Sequence, residues 1–241
     1  MAAGFPGFPK EGLSFLRSLK RNNNREWFQP RKEIYEEKLR RPLVALVEAL
    51  NAELARWAPA YVTDPARAIY RFYRDTRFSS DKTPYKTHVA AIFLPRGLEK
   101  HGCGSLYFEI APAHAGVAAG IYMPGPEQLL AVRRHIAENH QRLRKILTGK
   151  KLRSLFGELY GDALTRVPKG FPADHPAAEW LKMKQWYLWT EMPPALAVTP
   201  KLFGEIVRRF RAALPLTDFL NEPLWALREQ SKRDLIASLW R

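Results

Sequence analysis

Arg71, Arg74, Arg77, Lys82 and Lys86 fall within the sixteen residues RFYRDTRFSSDKTPYK (71–86), with Asp75 and Asp81 among them and Phe72, Tyr73, Phe78 and Tyr85 interleaved. Guanidinium groups grip carboxylates and phosphates through a planar fork of donors, and ammonium groups bind them as point charges. A solvated charge run would not normally carry so much aromatic bulk. The segment therefore reads as a basic cleft in which Arg71, Arg74, Arg77, Lys82, Tyr85 and Lys86 bind an anion. Asp75 would orient an arginine or act as an acid or base. The cations outnumber the local acids, so mutual pairing cannot neutralise them all. At least three of the five heads are expected on one concave surface, with Tyr85 at its wall and residues 118–123 or 167–176 across from it. Asp75 is expected to be buried and bonded to an arginine of its own motif. The structural alternative is an Arg–Asp network that only ties the fold together. Ser79, Ser80 and Thr83 could add hydroxyl donors, although SSDKTP also suits a turn.

Other residues carry weaker chemical signals. His88 opens a strand close after Lys86 and is the second acid/base candidate. Glu109 alternates with Tyr107 on an apolar strand, where a carboxylate must pair or shift its pKa; an arginine of 71–77 is the natural partner. His175 lies in Asp174-His175-Pro176, where the aspartate is expected to cap the following helix rather than to orient a base. The six histidines show neither HxH nor HExxH spacing, so no metal site is expected. There is no GxxxxGK[ST] phosphate loop, and no cofactor is implied. Cys103 has no adjacent cation to activate it. Trp180, Trp186, Tyr187 and Trp189 beside Lys182 and Lys184 could stack bases, but read first as packing.

Arg71, Arg74, Asp75, Arg77, Phe78, Lys82, Tyr85 and Lys86 fit the signature RxxRDxRFxxxKxxYK at every position. In this the chain resembles the uncharacterised bacterial DUF2461 family, over about Phe8 to Asn221. FLRSLKRNNNREWFQPRKEIYE (15–36), AAGIYMPGPEQLLAVRRHI (118–136) and VPKGFPADHP (167–176) share the likeness. The resemblance implies boundaries and a site, but no reaction.

The composition bounds the class of protein. Among 241 residues 46% are hydrophobic, enough for a real core, and 26% are charged. The net charge of +15 favours an anionic partner, unless it is only a solvated basic surface. It is uneven: residues 1–86 hold 17 Lys/Arg against 10 Asp/Glu, and residues 126–155 hold 8 against 2. A single cysteine permits no intrachain disulfide and suggests a reducing compartment. The opening MAAGFPGFPKEG has no apolar core of a signal peptide, and no apolar run reaches membrane-span length. A cytoplasmic protein without a membrane is expected, its oligomeric state unspecified.

The elements that must position these residues follow from periodicity. Residues 1–9, with two Gly and two Pro, read as a loose arm. Helices are expected over 10–20 and 24–55, the second broken or kinked at Pro42. Strands are expected over 67–74, 88–94, 105–111 and 116–123, with Trp186 to Met192 as a fifth, and the short connections imply a meander. Helices return over 126–138, 140–147, 152–160, 177–184 and 200–213, the last capped at Thr199-Pro200. The tail 218–241 reads as loosely helical. This is an α+β pattern, taken as a single domain over 1–241 with a mostly antiparallel sheet at about 67–123. The expected function is an anion-binding protein for a phosphorylated small molecule or nucleic acid. An enzyme acting on a phosphoester or other anionic substrate, and a partner-binding module, are the alternatives.

Overall fold

The computed structural model describes residues 5–239, with side chains through Arg233. Four strands form one antiparallel sheet in the order β1 (Val89–Phe93), β2 (Ser105–Ile110), β3 (Ala115–Ile121) and β4 (Trp186–Met192). Helices precede and follow the sheet strands in the chain, so the α+β class holds. Three of the strands expected between 88 and 123 and the later one at 186 form as read. In β2 the alternation is plain: Leu106, Phe108 and Ile110 are buried while Ser105, Tyr107 and Glu109 face the other way, half-exposed.

The chain divides into two compact units. The first comprises residues up to Phe93 with Tyr107–Val117 and Glu191–Arg208. The second comprises Leu94–Leu106, Ala118–Thr190 and the chain from Arg209.

In the first unit, α1 (Lys10–Arg21) buries Leu13, Leu16 and Leu19 on one face, as their spacing requires. The long helix expected over 24–55 is broken into pieces: α2 (Arg25–Phe28), a 3-10 turn, α3 (Lys32–Tyr35), a π turn (Glu36–Arg40) and α4 (Arg41–Trp57). Pro42 sits in the first turn of α4, where its missing N–H is tolerated. Its absent donor leaves the Lys38 carbonyl without its usual partner, and the π turn absorbs the fault just upstream. Gly12 of α1 lies against this point, where an added Cβ would stand 2.5 Å from the Lys38 carbonyl oxygen. Residues 5–9 are not a loose arm. Phe5 and Phe8 are buried with their rings 5.3 Å apart, and Phe8 N–H donates to the Ala197 carbonyl. Residues 1–4 of the expected arm lie outside the described residues.

The second unit holds α6 (Pro126–Glu138), α7 (His140–Leu147), α8 (Lys150–Phe156) and α9 (Ala178–Lys182). The final helix, α10 (Lys201–Leu239), begins in the first unit and continues into the second. It does not stop at 213 as expected, and runs through Pro215 and Pro223. A helix-interior proline costs about 3 kcal/mol. Phe210, Leu216, Phe219, Leu220 and Leu224 are all buried along the same stretch, and each contributes roughly 1.5–3 kcal/mol. Burial outweighs the two prolines. The Thr199 hydroxyl, expected to cap α10, instead donates back to the Leu196 carbonyl.

Candidate anion-binding site

The segment 71–86 is not a strand. The strand expected over 67–74 is preceded and overlapped by α5 (Pro65–Ala68), capped by the Asp64 carboxylate accepting from Ala66 N–H, with Pro65 in the first turn. Asp64-Pro65 is a helix-start signal that the aromatic content of 67–74 masks in the sequence. Beyond it only two isolated antiparallel bridges form, Ile69 with Ala91 and Tyr73 with Tyr85. Between Tyr73 and Tyr85 the chain closes on itself. The Arg74 guanidinium reaches both the Asp81 carboxylate and the Thr83 hydroxyl, and Thr83 N–H donates to Asp81 at 2.9 Å. Lys82 Nζ donates to the Thr76 carbonyl at 2.9 Å. The Arg74 and Lys82 contacts span six to nine residues, as a closed loop demands and a single strand forbids.

Asp75 is bonded to its own motif but is not buried. Arg77 Nε and Nη2 donate to its two oxygens at 3.0 and 2.8 Å, while its side chain remains 61% exposed. The Arg77 side chain first, and then Arg77 N–H, hold the carboxyl at about pKa 2. A carboxylate so weakly basic gains nothing as a proton acceptor. Asp81 is likewise held at about 2, by Thr83 N–H and then by Arg74.

Four of the five cationic heads already have a partner nearby. Arg74 and Arg77 are paired within the loop, Lys82 is on a carbonyl, and Lys86 Nζ lies 4.8 Å from the Tyr70 ring centroid. Arg71 alone of the five makes no hydrogen bond or ion pair among the described residues. Tyr85, expected at a cleft wall, is 1% exposed and stacked 4.2 Å from Phe28. Asn23 clamps its backbone, accepting from Tyr85 N–H and donating to Tyr85 O. The segments expected opposite the cleft, 118–123 and 167–176, belong to the second unit.

Arg71 instead borders a cavity of about 500 Å³ inside the first unit. One side includes Phe28, Lys32, Tyr35, Arg40 and one carboxylate, Glu36; the other includes Tyr70, Arg71, Phe72 and Tyr73. Tyr35 and Phe72 stack at 4.3 Å, so the aromatic lining is fixed. Tyr73 stays 52% exposed. Burial, with Glu36 adding, pushes the Tyr35 hydroxyl up to about 12, and burial does the same for Tyr70. Both remain proton donors at neutral pH. Arg40 is 3.4 Å from Glu36, whereas the Lys32 side chain makes no hydrogen bond or ion pair among the described residues. Two uncommitted cations thus border an aromatic cavity of small-molecule size. Lys32, Tyr35 and Arg40 were not legible as site residues. Their helical spacing assigns them to one face, but nothing in the sequence pairs that face with Arg71. Alongside lies an open groove of about 660 Å³, lined by Asn23, Asn24, Arg25, Thr76, Asp81, Lys82, Thr83 and Pro84.

A polar cluster of the first unit lies beside Tyr70. Tyr70 packs edge-on to Tyr107 at 5.9 Å, and the Tyr107 hydroxyl donates to Glu109 Oε2 at 2.5 Å. Glu109 Oε1 is 2.8 Å from His114 Nε2, and His88 Nε2 is 4.0 Å from Oε2. Glu191 Oε1 is 3.7 Å from His114 Nδ1. The partners of Glu109 are therefore histidines and a tyrosine, not an arginine of 71–77. Burial and the adjacent negative charge hold the Tyr107 phenol above its usual range. His88 is lowered, chiefly by burial and further by Lys86 and His114, against the pull of Glu109. Among the described residues no group of three or more His, Cys, Asp or Glu is arranged to hold a metal ion.

The His88 shift has a testable sign. A lowered folded-state pKa means that the unfolded chain binds more protons once pH drops below the ordinary imidazole value of 6.5. The stabilisation is complete above that value and shrinks as pH falls through it toward the folded pKa. His135, also lowered by burial, acts in the same window. Urea midpoints measured between about pH 7 and pH 5 should fall, less steeply in His88→Asn, and less again with His135→Asn added. Slopes identical to wild type would refute the assignment.

Elsewhere the single-residue signals resolve as structure. Cys103 is buried and its thiol is pushed up to about 12. The His175 ring, not Asp174, accepts from Ala177 N–H ahead of α9. Trp186 is fully buried and donates to the Trp180 carbonyl. Among the described residues no helix is long and apolar enough to cross a membrane. A family model described as "Conserved hypothetical protein (DUF2461)" matches residues 11–219. No curated protein and no solved structure matches the chain.

Proposed function

The chain belongs to the DUF2461 family of conserved hypothetical proteins, a description that carries no activity, and from the geometry we propose that it binds a phosphate-bearing ligand with a planar body in the cavity between Arg71 and Lys32. One observation carries this reading: two cations without ion-pair partners border a preformed aromatic cavity. A guanidinium without a carboxylate is matched by a phosphate, which accepts two parallel hydrogen bonds from it. The Tyr73 face offers a stacking surface, and the Tyr35 hydroxyl a donor. Arg77 has no place in this reading, because Asp75 already occupies it.

Adenosine monophosphate and inorganic pyrophosphate are suitable probes. A ligand that binds only the folded state raises its melting temperature by mass action. Adenosine monophosphate should stabilise the wild type more than pyrophosphate does. Arg71→Ala should weaken its binding about tenfold or more, as loss of one charge-assisted contact does. The double variant Arg71→Ala with Lys32→Ala should abolish it. Arg77→Ala should behave as wild type. Stabilisation that survives in the double variant, or none in the wild type, would overturn the proposal.

A further inference from the structure

We infer that the ligand is single-stranded nucleic acid, with one nucleotide in the cavity and the adjoining strand laid along the groove to Phe78; this rests on the cavity reading above. The cavity and the groove have no lining residue in common, but the same two chain segments border both. In α2, Arg25 borders the groove and Phe28, one turn on, borders the cavity. In the opposing segment, Arg71 to Tyr73 border the cavity, and Thr76 with Lys82 to Pro84 border the groove. A ligand occupying both must be extended and must offer repeated features.

The groove tells which features. It holds two cations, Arg25 and Lys82, the second already donating to the Thr76 carbonyl, and its one carboxylate, Asp81, is taken by Arg74. The Arg25 side chain makes no hydrogen bond or ion pair among the described residues. Such a surface suits a backbone of negative charges. Beyond it stands Phe78, 96% exposed, with the Arg77 guanidinium 5.8 Å from its ring centroid. The loop bearing Phe78 is not slack. Arg74 with Asp81 and Thr83, Arg77 with Asp75, and Lys82 with Thr76 staple it from within. Those internal pairs fix an apolar ring in water, where burial elsewhere would be worth about 1.5–3 kcal/mol. Cations beside exposed aromatic faces, Arg25 and Lys82 with Tyr73 and Phe78 on the same segments, are the groups that hold single strands by phosphate contact and base stacking. An acidic membrane would also attract Phe78 and its cations, but a flat surface would leave the recessed Tyr35–Phe72 cavity unused.

Fluorescence anisotropy with a labelled oligothymidylate of about twelve nucleotides, beside thymidine monophosphate, tests this on the full chain. The oligonucleotide should bind at least about tenfold more tightly than the mononucleotide, and its affinity should fall steeply with added salt. Phe78→Ala, a surface change that leaves the circular dichroism spectrum intact, should remove most of that gain and leave mononucleotide binding as it was. Arg25→Ala with Lys82→Ala should flatten the salt dependence. Mononucleotide binding that depends on Arg71, with no gain for the oligonucleotide, would sink this inference and leave the proposed function standing. Oligonucleotide binding indifferent to Arg71→Ala would overturn the cavity reading and the placement of a nucleotide there. Binding to phosphatidylserine vesicles that depends on Phe78, with no oligonucleotide bound, would assign the loop to a membrane instead.

Discussion

Asn221→Ala should lower the stability of the protein by about 2–6 kcal/mol, the sum of two buried backbone groups left without partners at roughly 1–3 kcal/mol each. Asn221 lies on α10 and is 2% exposed. Its Oδ1 accepts from Gly104 N–H at 2.6 Å, and its Nδ2 donates to the Gly104 carbonyl at 2.9 Å. One side chain thus does for the residue before β2 what a neighbouring strand would do. Gly104 is glycine because the amide must come this close: an added Cβ would stand 3.0 Å from both Asn221 amide atoms and 2.8 Å from the Thr217 carbonyl oxygen. Asn221→Asp keeps the acceptor and loses the donor, so its cost should lie between wild type and alanine unless the buried charge adds to it. Chemical denaturation gives the answer directly. An alanine variant within about 0.5 kcal/mol of wild type would mean that water replaces the amide.

Much of the fold was legible because local and tertiary preferences agree. The alternation in Ser105–Ile110 and the proline at the start of Pro126–Glu138 each name their element without help from distant residues. The failures share a different cause. Residues 67–74 look like a strand by composition, yet Arg74 finds Asp81 and Thr83, and no reading of side-chain alternation anticipates a contact that closes a loop. Asp75 was expected to need burial for its pairing. Arg77, two residues along the chain, provides a two-pronged contact at the surface instead. The helix from 200 was expected to stop at 213, ahead of Pro215, because the apolar face that carries it on is visible only when its partners are assembled. At the site, Arg71 was legible and its cavity was not. The opposite wall comes from Phe28 to Arg40, some forty residues upstream, and sequence periodicity fixes a face without naming what it meets.

Glu109→Ala should cost about 3 kcal/mol, near the value for removing one partner of a buried ion pair, whereas Glu109→Gln should cost much less. The carboxylate sits on β2 with 16% of its side chain exposed and serves two neighbours at once, the Tyr107 hydroxyl and His114 Nε2. Alanine strands both, while glutamine keeps an acceptor for the phenol and offers its amide to the imidazole. A second consequence separates this role from simple packing. Glu109 is the one influence that raises the His88 pKa, against burial, Lys86 and His114, which lower it. Without it the folded-state pKa of His88 falls further below 6.5, so the gap between folded and unfolded proton affinity widens. Stability should then decline more steeply below that pH in Glu109→Ala than in wild type. The combined variant Glu109→Ala with His88→Asn should lose that extra steepness and retain most of the loss seen at neutral pH. If the two variants show parallel curves at every pH, His88 and Glu109 are neighbours in space without being coupled in charge.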